Sequence, residues 1–158
     1  MSIVASVHFT DFQLPTSSYA ASEAQAASRF SQLRDAVTFL RDEANVTGAA
    51  YRRQIIESFG PDMRVGMYEG QAYQYSTGVT SSRYLTPTAL GNPVQELALP
   101  PYNAATVLQQ YQVTPTRALM GTVAPQQFPG YPLLPGGAQQ VFVPSRSVLT
   151  PTPLLPGS

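Results

Sequence analysis

The chain has 158 residues, a length that suits one domain with a sizeable core. Nine arginines balance nine acidic residues, so no net charge attracts nucleic acid or an anionic membrane, and no run of 18 apolar residues predicts membrane insertion. Cysteine is absent and His8 is the lone histidine, which argues against disulfides, thiolate catalysis, a metal site and a Ser-His-Asp triad.

Residues 1–60 are interpreted as a helical leader packed on the rest of the chain. Residues 2–9 alternate in a way that is typical of a short strand, and they lack the basic start and long apolar stretch of a signal peptide. A pair of serines at residues 17–18 can cap a helix predicted over residues 18–44. After a short break, a second helix is predicted over residues 49–58, where glycine and proline follow.

The first predicted helix carries one apolar stripe, whose members recur at spacings of three and four residues. The members are Ala26, Phe30, Leu33, Val37, Leu40 and Ala44. Such a stripe is typical of a helix packed on a sheet, and also of a seam at which the helix of residues 18–44 would self-associate or meet a partner. We expect Phe30, Leu33, Val37 and Leu40 to be buried in either case.

Residues 61–158 change from helical spacing to short strands and turns, with Asn92-Pro93 interpreted as one of the breaks. Strands are predicted over residues 64–68, 71–76, 83–86, 107–113, 120–123 and 139–143. Thirteen of the fifteen prolines lie at or after Pro87, no acidic residue follows Glu96, and an extended tail is expected from Pro151 onward. The sequence therefore predicts an α+β fold, in which an N-terminal helical portion precedes a small twisted, mainly antiparallel β module.

The last predicted strand follows a pair of glycines. Gly136-Gly137 can adopt backbone angles closed to other residues and lets a ligand approach closely. Gln140 comes directly after them, and its amide could orient a polar substrate because it donates and accepts hydrogen bonds at once. The alternative is an ordinary β-hairpin with a glycine turn.

Five motifs in order carry a resemblance to a known family. They are Arg83-Tyr84-Leu85-Thr86-Pro87 after Gly78, Leu97-Ala98-Leu99-Pro100-Pro101, Tyr111-Gln112-Val113, Gly121-Thr122-Val123-Ala124-Pro125 and Pro135-Gly136-Gly137-Ala138-Gln139-Gln140. The set resembles the toxin domain of the tuberculosis necrotizing toxin family, over about Arg64 to Leu155. These NAD glycohydrolases are found at the C-termini of bacterial polymorphic toxins and in some fungal secreted enzymes.

The resemblance implies candidate site residues, with NAD as substrate and neither a cofactor nor a metal. Gln140 matches the functional glutamine of the family, and Tyr84 matches the aromatic residue of the first motif, although a core aromatic is the alternative for it. Gln74 and Leu97 stand where the family has arginines. Arg64 or Arg83 is then expected to supply the phosphate contact, since an arginine fork matches phosphate oxygens; the alternative is that both are surface residues.

Strand alternation predicts that Arg83 points away from Tyr84. The leading interpretation is a toxin or effector that cleaves the nicotinamide–ribose bond and depletes NAD in a target cell. Such a protein would reach the target cytosol by a specialised secretion route and would have a cognate immunity protein. The alternatives are a non-enzymatic structural or assembly protein, favoured by the neutral, proline-rich last third, and another sugar- or nucleotide-processing activity.

Overall fold

The computed structural model describes residues 23–153, with side chains from residue 29 onward. The strand expected over residues 2–9, the serine cap at residues 17–18 and the end of the predicted tail lie outside this range, as does the side chain of Ala26. The described chain contains a helical layer and a mainly antiparallel sheet, which confirms the predicted α+β class. The division of the chain at residue 60 stays a prediction.

Two helices form the helical layer. Helix α1 runs from Glu23–Thr38 and continues as a π-helical turn over Phe39–Glu43, and helix α2 covers Ala49–Glu57. Asn45 ends the first of them in the left-handed region (φ 59°), where asparagine is better tolerated than most residues. The hydroxyl of Ser58 donates to the carbonyl of Ile55 (2.6 Å), which satisfies one of the open carbonyls at the end of α2.

The apolar stripe of α1 packs inside its own chain. Phe30, Leu33, Val37, Leu40 and Ala44 are all buried, in one cluster that also contains Leu119 and Phe142 of the sheet. The prediction that the stripe is buried against the β module is confirmed. Self-association through these five residues is wrong as an alternative, because their side chains are already covered by the chain itself.

No helix in the described part of the chain is long and apolar enough to cross a membrane.

The sheet consists of β1 (Arg64–Ser76), β2 (Tyr84–Leu85), β3 (Val107–Thr122), β4 (Gln139–Phe142) and β5 (Leu149–Pro151). Its strand order is β1-β3-β4-β2, with β5 also paired to β3, and all of these pairs are antiparallel. One pair of backbone hydrogen bonds between Tyr73 and Thr86 also joins β1 to the segment that follows β2.

Strand boundaries were the main error of the sequence prediction. The predicted pairs 64–68 with 71–76 and 107–113 with 120–123 are each one long strand, because the register shift near Gly70 bends the ladder without ending it. Pro115 lies at that irregularity, where a missing backbone N–H is tolerated. The extended tail was predicted to begin at Pro151, which is too early, because residues 149–151 form a strand that pairs with β3.

A short helix, α3 (Pro93–Glu96), was also missed. Asn92 and Pro93 were interpreted as a break, but they start this helix: the Asn92 side chain accepts a hydrogen bond from the N–H of Gln95, and proline occupies the first turn. A cap and an N1 proline have the composition of a turn, so the sequence could not separate the two.

The sheet has two faces with different cores. The helix-side face is covered by α1 and α2 and includes Leu119, Phe142 and Tyr84. The opposite, far face has its own smaller cluster, which includes Ala72, Leu85, Tyr111, Val141 and Val143. Alternation along β4 therefore directs Gln140 and Phe142 to the helix-side face and Val141 to the far face.

Candidate functional site

The glycine pair before β4 adopts a conformation that other residues rarely take. Gly136 and Gly137 have φ values of 68° and 103°. A Cβ on Gly136 would lie 2.5 Å from the carbonyl oxygen of Val123, whereas a Cβ on Gly137 would meet nothing within 4 Å. Gly136 is therefore required for a close approach between two chain segments, and Gly137 faces open space.

The amide of Gln140 points inward, to the C-terminal end of α2. Its Nε2 donates to the carbonyl of Ser58 (2.8 Å) and contacts the Ser58 hydroxyl (3.3 Å), and the residue is only 6% exposed. The Ser58 carbonyl also accepts from the backbone N–H of Ala124 (2.9 Å). No donor among the described residues contacts Oε1 of Gln140, so the acceptor half of the amide is unused within them.

Tyr84 and Gln140 are linked by the same serine, because both side chains contact the Ser58 hydroxyl. The Tyr84 hydroxyl is 3.2 Å from Oγ of Ser58, and its ring meets Phe142 edge-on at 5.0 Å between centroids. Burial raises the pKa of the Tyr84 hydroxyl well above its ordinary value, against a smaller lowering by the hydrogen bond to Ser58. The phenol is therefore neutral near pH 7 and can only donate or accept a hydrogen bond. We call Ser58, Tyr84 and Gln140 the helix-side cluster.

The two arginines expected to replace the family's phosphate contact have different settings. Arg83 donates from Nη1 to the carbonyls of Ala44 and Pro144 (2.7 Å each), so it ties the end of the first helix to the segment after β4. Its guanidinium carbon also lies 4.9 Å from the centroid of Phe142. Arg64 is exposed at the start of β1.

The expected alternation of Arg83 and Tyr84 is wrong. Both side chains contact Phe142, because the strand begins only at Tyr84 and the rule of alternating faces does not apply to the residue before it.

Gln74 belongs to a separate group on the far face. It is 4% exposed, and its Nε2 donates to the carbonyls of Ser82 (3.1 Å) and Tyr84 (2.9 Å). Its Oε1 accepts from Nη1 of Arg146 (3.0 Å), and Nη2 of Arg146 donates to the hydroxyl of Tyr111 (2.9 Å). We call Gln74, Tyr111 and Arg146 the arginine cluster.

The site residues expected from the sequence did not include three members of these clusters: Ser58, Tyr111 and Arg146. Tyr111 lay in one of the ordered motifs but was assigned no role. Arg146 stood out in the sequence as one of only two charges after Glu96, and this isolation was the available signal. Ser58 gave no signal, since a serine after a helix has the appearance of an ordinary cap. The structure thus brings Gln140 and Tyr84 together, and it places the Gln74 side chain on the other face of the sheet.

An open cleft of about 390 Å³ lies beside the glycine pair. It is lined by Gly60, Pro61, Asp62, Thr122, Val123, Ala124, Pro125, Pro135 and Gly137. Asp62 accepts from the N–H (2.9 Å) and hydroxyl (2.7 Å) of Thr122, and that hydroxyl accepts from Nε2 of Gln139 (2.8 Å). Partial burial raises the pKa of Asp62, but the hydrogen bonds from Thr122, the backbone N–H of Asp62 and the charge of Arg64 together hold the pKa below its ordinary value.

The helix-side cluster contains hydrogen-bonding groups but no strong acid or base. It combines a neutral phenol, a serine hydroxyl and an amide with one unused acceptor. Within residues 23–153 no three His, Cys, Asp or Glu side chains come close enough to hold a metal ion. Such a cluster suits reactions in which alignment of the reacting groups dominates over proton transfer.

The fold has counterparts among solved structures, although the sequence matches no known family profile and no curated protein. Tse6, solved in complex with Tsi6, superposes with a TM-score of 0.62 and 23% identity, over 84% of this chain and 99% of that one. Tne2 in complex with Tni2 gives 0.48 and 14% identity, over 61% of this chain and 93% of that one. Rhs1-CT with its cognate immunity protein RhsI1 gives 0.45 and 19%, over 58% and 78%. The likeness to Tse6 shows that the two chains share a fold.

Proposed function

We propose that this chain is an NAD glycohydrolase toxin domain, which hydrolyses the bond between nicotinamide and ribose in a target cell. The supporting observation is the likeness to Tse6, an NAD glycohydrolase toxin, which extends over nearly the whole of that protein's chain. The ordered motifs, which resemble the tuberculosis necrotizing toxin family, support the same activity, and Gln140 and Tyr84 of those motifs share one cluster.

The chemistry needs alignment more than acid catalysis. Cleavage of the nicotinamide–ribose bond develops positive charge on the ribose, as glycoside hydrolysis does, and nicotinamide leaves as a neutral base. In the proposed mechanism, Oε1 of Gln140 accepts a hydrogen bond from the ribose or from the attacking water. Tyr84 supports Gln140 indirectly, because both side chains contact the Ser58 hydroxyl.

Partner and route follow from the same proposal. Tse6 was solved with Tsi6, and we infer that this chain likewise has a cognate immunity protein, which protects the cell that makes the toxin. Delivery into a target cell by a specialised secretion route is part of this proposal.

The test is release of nicotinamide from NAD by the purified chain, followed by chromatography. Gln140→Ala should lower kcat by about 100-fold or more, since preorganised polar groups commonly contribute that much in the transition state. Gln112→Ala is the matched control, because Gln112 is an exposed glutamine of β3 and should leave the rate unchanged.

Two results would count against the proposal. Wild-type protein that releases no nicotinamide would favour the non-enzymatic alternative. An active wild type with an equally active Gln140→Ala variant would retain the enzyme and remove Gln140 from its site, provided that both proteins have the same melting temperature.

A further inference from the structure

Arg146 is a fixed guanidinium without a carboxylate partner among the described residues. Its Nη1 contacts Oε1 of Gln74 and the carbonyl of Ser82, and its Nη2 contacts the hydroxyl of Tyr111. The guanidinium carbon also lies 5.6 Å from the centroid of the Tyr111 ring. All of these partners are neutral, so they orient the cation and leave its charge uncompensated.

One edge of this guanidinium is unused. Nε–H has no acceptor in residues 23–153, and Nη2 uses a single hydrogen bond although it carries two hydrogens. Nε of Arg146 has no partner, yet it is not among the fully buried polar atoms without one in the described residues, so solvent reaches Nε. Nε and Nη2 together form one of the two edges on which arginine binds an oxyanion with two parallel hydrogen bonds.

The surroundings favour a phosphate group as the anion. Serine and threonine hydroxyls occupy both segments beside Arg146, in residues 80–82 and at Ser145 and Ser147. The Ser147 backbone N–H lies 3.1 Å from Oγ of Ser145, so this short turn is ordered. No acidic residue follows Glu96, which leaves this part of the chain with a positive local charge and no competing carboxylate of its own.

We propose that the unused edge of Arg146 binds a phosphate group of a small-molecule phosphate ester. This site lies on the far face of the sheet, whereas the helix-side cluster lies on the face covered by α1 and α2. The inference therefore goes beyond the proposed cleavage of NAD and does not depend on it. The phosphate could belong to a dinucleotide or to another phosphate ester, and these sources are separated by the probes below.

Binding is measured on the full chain with inorganic diphosphate as the probe, by calorimetry and by the arginine Nε–H resonances in a ¹⁵N spectrum. Arg146→Lys keeps the charge and removes the fork, so diphosphate affinity should fall by about tenfold or more. Arg117→Lys is the matched control: Arg117 is an exposed arginine of β3, ion-paired with Glu43 (2.9 Å), and its replacement should change nothing.

The outcomes divide clearly. A shift of the Arg146 Nε–H resonance in wild-type protein on addition of diphosphate supports the site even where the lysine variant is unstable. NAD that competes with diphosphate identifies a dinucleotide as the source, and diphosphate binding without NAD competition supports another phosphate ester. Absence of any Nε–H shift, or equal diphosphate affinity in wild type and a folded Arg146→Lys variant, would overturn the proposal.

Discussion

Gln140 and Gln74 are both buried in strands, but they lie on opposite faces of the sheet and hold different partners. Gln140 donates to Ser58 at the end of α2 and leaves its acceptor unused. Gln74 uses its donor on two backbone carbonyls and its acceptor on Arg146. The same side chain thus presents an acceptor on one face and fixes a cation on the other.

Because the two glutamines hold different partners, we expect that each face can be altered without the other. Among the described residues, Tyr84 contacts both clusters: its hydroxyl contacts Ser58 on the helix-side face, and its carbonyl accepts from Gln74. Loss of activity without loss of anion binding, or the reverse, would therefore be expected from changes confined to one face. The experiments below test how each face is held in place.

The helix-side face should be the most sensitive to loss of packing. Leu33 of α1 is fully buried in the cluster that joins the helices to the sheet, so Leu33→Ala should lower the free energy of unfolding by about 2–5 kcal/mol. Leu108→Ala removes the same atoms from a residue that is 44% exposed and should cost less than about 1 kcal/mol. Denaturant unfolding measures both, and equal small effects would show that α1 contributes little to the core.

The glycine pair precedes β4, whose side chains alternate between the two faces. Replacement of its two members by alanine should destabilise the fold to different extents. Gly136→Ala combines a positive φ with a Cβ 2.5 Å from the Val123 carbonyl, so it should destabilise by about 2–4 kcal/mol. Gly137→Ala has the unfavourable φ alone and should cost about 1–2 kcal/mol.

Thermal unfolding of the two alanine variants side by side checks this difference. Equal losses would indicate that the turn yields to the extra methyl group at Gly136, and that close contact with Val123 does not fix the start of β4.

Elements that have a local sequence pattern could be predicted from the sequence. The stripe from Phe30 to Ala44 predicted a buried helix, and the strand predicted from residue 64 begins there as β1. Strand length was not predictable, because Gly70 and Pro115 have the composition of breaks and only pairing between β1 and β3 carries the ladder past them.

The candidate site was predictable only in part, for a related reason. Gln140 and Tyr84 were chosen from motifs, but their shared contact is Ser58, which lies 82 residues from Gln140 and in a different layer. Arg146 was missed because its role depends on Gln74 and Tyr111, which approach it only in the folded chain. Contacts between distant segments are set by topology, and no local pattern records them.

The smallest expected effect concerns the connection between the helical layer and the sheet. Asp62 lies between α2 and β1 and accepts two hydrogen bonds from Thr122 of β3. Hydrogen bonds to an ionised group commonly contribute 1.5–3 kcal/mol, but Asp62 is largely exposed, so Asp62→Ala should lower the free energy of unfolding by about 1 kcal/mol at neutral pH.

The pH dependence of this difference has a definite sign. The pKa of Asp62 is lower in the folded chain than its ordinary value of 3.8, so folding favours the ionised carboxylate. The stabilisation is complete above the unfolded pKa and is lost as the pH falls through the folded pKa. The difference in the free energy of unfolding between wild type and Asp62→Ala should therefore become smaller in acid. The amide of the Asp62→Asn variant does not titrate, so the difference between Asp62→Asn and Asp62→Ala should stay constant. Denaturant unfolding over a pH series measures both differences. A difference between wild type and Asp62→Ala that stays constant down to the lowest pH would show that the carboxylate charge does not hold the helical layer to β3.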